Sequence, residues 1–263
     1  MNFDNTLFRA SGTGHIMTEP RSKADKDAGN LSESAKTHLV DVYVSNLYGR
    51  NTDIFSKHIT KGLMVEEDSI TLYSRFKKKF FKKNELHLSN DYIKGTPDLY
   101  VGASVDTATH IIDVKSSWDI FTFHRVLSKD INDMYYWQLM AYMALTGATT
   151  ATLAYCLIDT PLILIEDEKR KLMYKMGAGT SENSEYKEAA EELEKLMTYP
   201  EIPIEERVIE FVVERNEADI KALYAKVKKS RVWLNDFFKL RNPSLLLAEY
   251  DSEVEAIIVN AHE

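Results

Sequence analysis

Thr149 to Ile158 is a short, nearly unbroken apolar run. No alternation of apolar and polar residues marks a side for solvent, so the run is expected to be a strand buried on both faces. Such a strand needs a sheet with a further layer above and below it. The rest of the chain supplies those layers. Thr37 to Tyr48 carries Val40, Tyr43, Val44 and Leu47 at helical spacing, and Gly49 ends the pattern. A second helix is expected from near Ile59 to about Phe81, with Ile59, Leu63, Ile70 and Tyr73 on one stripe. Two short β runs follow, within Asp91 to Gly102 and Thr109 to Val114, and Ala103 to Ala108 reads as a hairpin connection. Asp133 to Leu145 reads as an amphipathic helix stopped by Gly147; Arg207 to Val213 reads as a strand and Glu217 to Phe238 as a long helix. This order predicts an α/β fold, a mixed central sheet flanked by helices.

The 263 residues suit a single domain. Residues 1–58 form an N-terminal rim, of which 1–35 is a loop-rich lead-in, and 59–158 form the core. Residues 166–203 are charged and read as an insertion, with a flexible tip at Gly177 to Ser184 and an acidic helix from Glu185 to Met197. Residues 204–240 close the fold, and 241–263 are a tail.

Composition narrows the function. The one cysteine, Cys156, sits in the apolar run and is expected to be a core residue. A lone thiol excludes an internal disulfide framework and an iron–sulfur cluster held by four cysteines of this chain. No stretch is apolar enough to span a membrane, and Met1 to Ser11 lacks the pattern of a signal peptide, so the expected location is the cytoplasm. The net charge of −8 argues against coating nucleic acid through bulk charge, though an acidic enzyme can still concentrate basic residues in a cleft.

Two segments carry chemistry. In Gly95-Thr96-Pro97-Asp98, the proline interrupts strand pairing, and Asp98 stands at the bend before Leu99-Tyr100-Val101. Asp113-Val114-Lys115 ends the next strand. Side chains alternate along a strand, so Asp113 and Lys115 share one face and Val114 points to the other. An acid and a base at the end of a buried strand are costly unless they serve something. Phosphodiester hydrolysis would use them. Hard cations prefer oxygen, and Asp98, Asp113 and the Val114 carbonyl are oxygen donors. A metal acidifies a bound water and offsets charge on phosphorus, while Lys115 can position or deprotonate that water and contact the phosphate.

Gly-Thr-Pro-Asp followed by Asp-Val-Lys resembles the core of the PD-(D/E)XK nucleases, whose fold is restriction-endonuclease-like. Gln138 and Tyr142, four apart on the next helix, resemble the Gln-x-x-x-Tyr of the RecB-like branch. Lys61-Gly62 followed by Glu66 resembles the Gly-x-x-x-Glu of phage lambda-type exonucleases, also called YqaJ-like viral recombinases. Arg9-Ala10-Ser11, Glu19-Pro20-Arg21-Ser22 and the ending Val208 to Phe238 are similar to the same family. The resemblance implies a Mg²⁺- or Mn²⁺-dependent DNA exonuclease, digesting linear duplex 5′ to 3′ and leaving 5′-phosphate in phage-type recombination. It also implies a ring-shaped homo-trimer and a single-strand-annealing recombinase as partner. The catalytic residues would be Asp98, Asp113, Lys115, Glu66 and Gln138, with Glu66, Asp98, Asp113 and Val114 on the metal. Gln138 would face Lys115 and the nucleophilic water, and Arg9, Ser11 and Tyr142 would bind substrate. The alternatives are an endonuclease of the same fold for repair or restriction, and a catalytically silent DNA-binding module.

Glu66 is chosen over Glu67 because it shares a stripe with Ile59, Leu63, Ile70 and Tyr73, whereas Glu67 shares one with Thr60, Met64, Thr71 and Ser74. The basic run from Arg75 to Lys83 interleaves lysines with Phe76, Phe80 and Phe81. It fits phosphate contact and, equally, a solvated helix C-terminus. The seven histidines show no ligand spacing and are assigned no role.

Overall fold

The structure, a computed structural model, describes residues 2–52 and 56–242. The tail from residue 243 onward and residues 53–55 of the rim lie outside the described residues. In chain order the elements are β1 (Phe8–Arg9), α1 (Thr13–Ile16), α2 (Lys23–Asp27), α3 (Glu33–Tyr48), α4 (Lys57–Met64), α5 (Glu66–Phe76), β2 (Leu88–Ser89), β3 (Ile93–Gly95), β4 (Leu99–Val101), β5 (His110–Ser116), α6 (Ile120–Arg125), α7 (Asp133–Thr146), β6 (Thr150–Cys156), α8 (Leu162–Met176), α9 (Ser184–Lys195), β7 (Val208–Glu214) and α10 (Glu217–Arg241).

The central sheet has the order β4-β5-β6-β7. β5 and β6 run parallel, and the two outer pairs are antiparallel. The apolar strand β6 is interior, as its composition requires. Strand alternation sorts the core into two layers. Ile111 and Leu153 face α7, α3 and α10, where they pack with Leu139, Met140, Met143, Leu39 and Leu223. Leu99, Ile112, Ala154 and Cys156 face α5, against Ile70, Leu72 and Tyr73. Cys156 is a buried core residue, and burial pushes its thiol up to about 12. Helix α7 begins where Asn132 accepts a hydrogen bond from the Met134 N–H, and it ends at Gly147 with φ 79°, a left-handed cap that glycine adopts without strain.

Three expectations need correction. The 1–35 lead-in is more than loop: Phe3, Phe8, Ala10 and Ile16 join the main core. β1 pairs in parallel with β3, and β2 completes a separate three-stranded sheet in the order β1-β3-β2. The helix foreseen over Ile59 to Phe81 is two helices broken at Val65, which is buried with φ −110° and ψ 16°. The single stripe is broken with it: Ile59 and Leu63 are 41% and 71% exposed, while Ile70 and Tyr73 are buried. The second helix ends at Phe76, so Lys77 to Lys83 lies beyond it rather than on its last turn.

The insertion is two helices, α8 and α9, that begin at Leu162 and are joined by the Lys169–Glu194 ion pair; Gly177 caps α8 in the left-handed region. No helix among the described residues is long and apolar enough to cross a membrane.

Candidate active site

The site lies where β4 parts from β5. The two strands pair from Leu99↔Ile112 to Val101↔His110, so Asp113 to Ser116 have no partner on that edge. Pro97 and Asp98 turn away there, on the crossing from β3 in one sheet to β4 in the other. Asp98 Oδ2 takes the place of the missing strand and accepts a hydrogen bond from the Val114 N–H at 2.8 Å. In an extended strand the N–H and C=O of one residue leave on the same edge. The Val114 carbonyl therefore leaves on the side where Asp98 sits.

The bend is latched by Asn84, which is buried. Its side-chain amide donates to the Pro97 carbonyl at 2.9 Å, and its backbone N–H donates to the Asp98 carbonyl at 2.8 Å. Gly95 is needed for a close approach: a Cβ there would lie 2.8 Å from Tyr142 Cε1 and 2.9 Å from Ala10 Cβ. The same contact brings the Arg9-Ala10-Ser11 segment against the motif strand.

Asp113 is 1% exposed and lies on the α7 face. Its Oδ1 accepts from Gln138 Nε2 at 3.0 Å, and the same amide group donates to the Tyr142 hydroxyl oxygen at 3.0 Å. Its Oδ2 lies 2.6 Å from Lys115 Nζ, in an ion pair whose geometry leaves the oxygen without an aligned hydrogen bond. Gln138 thus meets Asp113 and Tyr142, not the Lys115 that the resemblance implied. Lys115 also lies 5.3 Å from the centre of the Tyr135 ring.

The electrostatics follow from burial and crowding. Burial, then the charge of Asp113, pushes the Asp98 carboxyl up to about 7, although Lys115 and the Val114 N–H pull the other way. Burial opposes the charge on Lys115, but Asp113 and Asp98 outweigh it and hold the ammonium above its ordinary range. Burial, and next Asp113, raises the Tyr142 phenol, which keeps its proton.

Glu66 is the first residue of α5, on the opposite side of the sheet from α7. Its Oε2 is ion-paired with Lys83 at 2.7 Å, and its charge reaches Asp98. Among the described residues, no three His, Cys, Asp or Glu side chains stand close enough to hold a metal ion as placed. The donor set that does converge is Asp98 with Asp113, beside the edge that carries the Val114 carbonyl. All of these donors are oxygens, and Asp113 Oδ2 is held by the Lys115 ammonium alone. That set fits a hard divalent cation. Arg9 and Ser11 are exposed beside this motif, in β1 and the turn after it; Tyr142 is buried and touches Gln138 and Gly95.

The fold has close counterparts among solved structures. A phage related exonuclease from Haemophilus somnus 129PT is 26% identical with a TM-score of 0.65, covering 92% of this chain and 97% of its own. The chain is a structural relative of the phage-type exonucleases. This is the branch that its motifs resemble. An alkaline exonuclease from Laribacter hongkongensis, LHK-Exo, shares the fold at 14% identity and a TM-score of 0.58, covering 92% of this chain and 96% of its own. Its complex with dAMP matches at 15% identity and a TM-score of 0.57, with the same coverage. No protein-family model and no curated protein sequence matches the chain.

Sequence reasoning missed two residues. Asn84 follows a basic run and has no local signature, because its partners, Pro97 and Asp98, come from another part of the chain. Lys61, expected only as the neighbour of a motif glycine, is 1% exposed and donates from Nζ to the Trp118 carbonyl at 2.8 Å. Burial lowers its ammonium to about 8, against the opposing pull of Asp119 and Asp159. It ties α4 to the turn that follows Lys115.

Proposed function

We propose that the chain is a divalent-metal-dependent deoxyribonuclease that digests linear duplex DNA from an end, with Mg²⁺ as the ion or Mn²⁺ in its place. One observation carries this reading: Asp98 and Asp113 meet beside Lys115 at the open edge of β5, in a fold shared with a phage related exonuclease.

Asp98, Asp113 and the Val114 carbonyl would hold the ion, with Glu66 joining on release from Lys83. A bound ion would acidify water and offset charge on the phosphate oxygens. Gln138 fixes Asp113 through Oδ1, which leaves Oδ2 directed at Lys115 and the ligand. Tyr142, kept protonated, supports Gln138 as a neutral group. Lys115, held charged by two carboxylates, is suited to stabilising the phosphate as negative charge grows on it. Asn84 and Gly95 keep the Pro97-Asp98 bend in place without touching substrate.

Arg9 and Ser11 are the residues proposed to receive a terminal 5′-phosphate, whose extra negative charge favours guanidinium and hydroxyl donors. That would set a 5′-to-3′ direction and yield products with 5′-phosphate. dAMP, held by a nuclease of the same fold, is a deoxynucleoside monophosphate, the expected product class. A trimeric ring, a recombinase partner and a role in recombination belong to the same proposal through the family resemblance.

The test uses linear duplex labelled at the 5′ or the 3′ end, with 5′-phosphate or 5′-hydroxyl termini, in Mg²⁺. The 5′ label should be released first, and faster from phosphorylated ends, and Arg9→Ala with Ser11→Ala should erase that preference. Earlier release of the 3′ label, or equal rates from both kinds of 5′ end, would remove the direction and the end pocket.

A further inference from the structure

We propose that Phe80, with Lys78 and Lys82 beside it, is a stacking site for an unpaired nucleobase of the DNA substrate. The proposal rests on the nuclease reading and adds a contact outside the catalytic centre.

A single exposed apolar side chain is ordinary on a protein surface. The setting of Phe80 is not. Phe80 is 84% exposed, while its neighbour Phe81 is buried against Tyr73, with ring centres 5.5 Å apart. The turn thus sends one aromatic outward and the next inward. It does so from a firm base. Lys78 and Lys79 donate their N–H groups back to the Arg75 and Ser74 carbonyls at 3.1 and 3.0 Å, closing α5. The Phe81 N–H donates to Ser74 Oγ at 3.2 Å, and Lys83 is ion-paired with Glu66.

Lys78 carries φ 50°, the one positive φ at a non-glycine residue among those described. Glycine would take that cap position without strain, so the sequence keeps a lysine there against the backbone's preference. Lys77 and Lys83 are neutralised by Glu210 and Glu66. Lys78 and Lys82 are exposed and have no ion pair among the described residues. The turn therefore presents an apolar ring between free positive charges, the pairing that holds a single strand by its bases and its phosphates.

The position suits this use. Four residues after Phe80, Asn84 bonds the Pro97 and Asp98 carbonyls. Four residues of chain span at most about 14 Å, so the ring lies within a few nucleotides of the catalytic bend. A base inside a duplex is already stacked on its neighbours. The ring therefore selects a base that is unpaired, as digestion of one strand leaves it.

The experiment measures binding in EDTA, where the strand is not cut, by fluorescence anisotropy. The probes are a labelled oligodeoxythymidine and a strand of equal length with abasic sites in place of its bases. Wild type should prefer the base-bearing strand. Phe80→Ala should lose that preference and bind the base-bearing strand about 5- to 150-fold more weakly, the range for one stacked base. Phe80→Trp should keep the preference, and its emission should change on binding. Lys78→Gly should raise the melting temperature, because glycine adopts the left-handed cap freely. It should also reduce the slope of log affinity against log salt by about 0.7, the loss of one single-strand phosphate contact. Equal binding of the two strands by wild type, or an unchanged preference in Phe80→Ala, overturns the proposal. Failure of the nuclease reading would appear separately, as no Mg²⁺-dependent cleavage by wild type.

Discussion

Replacing Asp98 by asparagine should stabilise the metal-free protein while it destroys activity. The Asp98 carboxyl rises from 3.8 to about 7 on folding, from burial first and Asp113 second. Each pH unit corresponds to about 1.36 kcal/mol, so the ceiling on this electrostatic cost is about 4 kcal/mol. Asp98 is partly exposed and Lys115 stands close to it, and solvent and that counter-charge reduce the expected effect to about 2 kcal/mol at pH 8. An asparagine can still accept the Val114 N–H. For a domain of this size, about 2 kcal/mol corresponds to a rise in Tm of about 4–8 °C. The pH dependence has a definite sign. The folded pKa lies above the unfolded one, so the wild type is relatively most stable below about 4. It loses that stability as pH rises towards about 7 and has lost all of it above. The gain from asparagine should thus be less than half as large at pH 5 as at pH 8. Mg²⁺ should narrow the gap, because it binds the wild-type folded state and offsets the same charge. Thermal unfolding by circular dichroism in EDTA at both pH values, then with Mg²⁺, measures this. A Tm that falls at pH 8, or an increment equal at both pH values, would refute the reasoning.

Other residues give further tests. Lys115→Ala should lower kcat by about 10²–10³-fold or more with DNA binding little changed, and should cost about 3–5 kcal/mol of stability because the buried Asp113 loses its counter-charge; single-turnover kinetics, anisotropy and chemical unfolding separate the three effects. Gln138→Leu leaves Asp113 Oδ1 and the Tyr142 hydroxyl without their partner, and should cost about 1–3 kcal/mol in chemical unfolding together with most of the activity. Gly95→Ala pushes a methyl into Tyr142 and Ala10 and should cost about 1–3 kcal/mol by the same measurement. Apparent Mg²⁺ affinity, measured by titration calorimetry, should fall as pH drops below about 7, because the ion must displace a proton from Asp98.

The parts of the site legible in the sequence are those set by local geometry. Strand alternation alone places Asp113 and Lys115 on one face, where they form an ion pair. Spacing of four on a helix places Gln138 over Tyr142, where they share a hydrogen bond. Gly49 and Gly147 end helices in the left-handed conformation that their positions suggest. What was not legible depends on distant partners. Val65 carries no breaker signal, yet α4 and α5 part there. β1 is too short to show a pattern, and its pairing with β3 spans much of the chain. Lys61 is buried because α4 lies against the turn at Trp118, and a lysine in a sequence gives no hint of that. Lys83 holds Glu66 through a bend after α5 that the helical periodicity hid.

In the proposed function, Asp98, Asp113 and Lys115 form one metal-dependent phosphodiesterase centre acting from DNA ends. Its most direct test incubates wild type and Asp113→Asn with linear and closed circular duplex of the same sequence, in Mg²⁺ and in EDTA. Only the wild type in Mg²⁺ should degrade DNA, and it should degrade the linear form to mononucleotides while the circle stays closed. Degradation in EDTA, undiminished digestion by Asp113→Asn, or nicking of the circle at a rate matching loss of the linear form would contradict it.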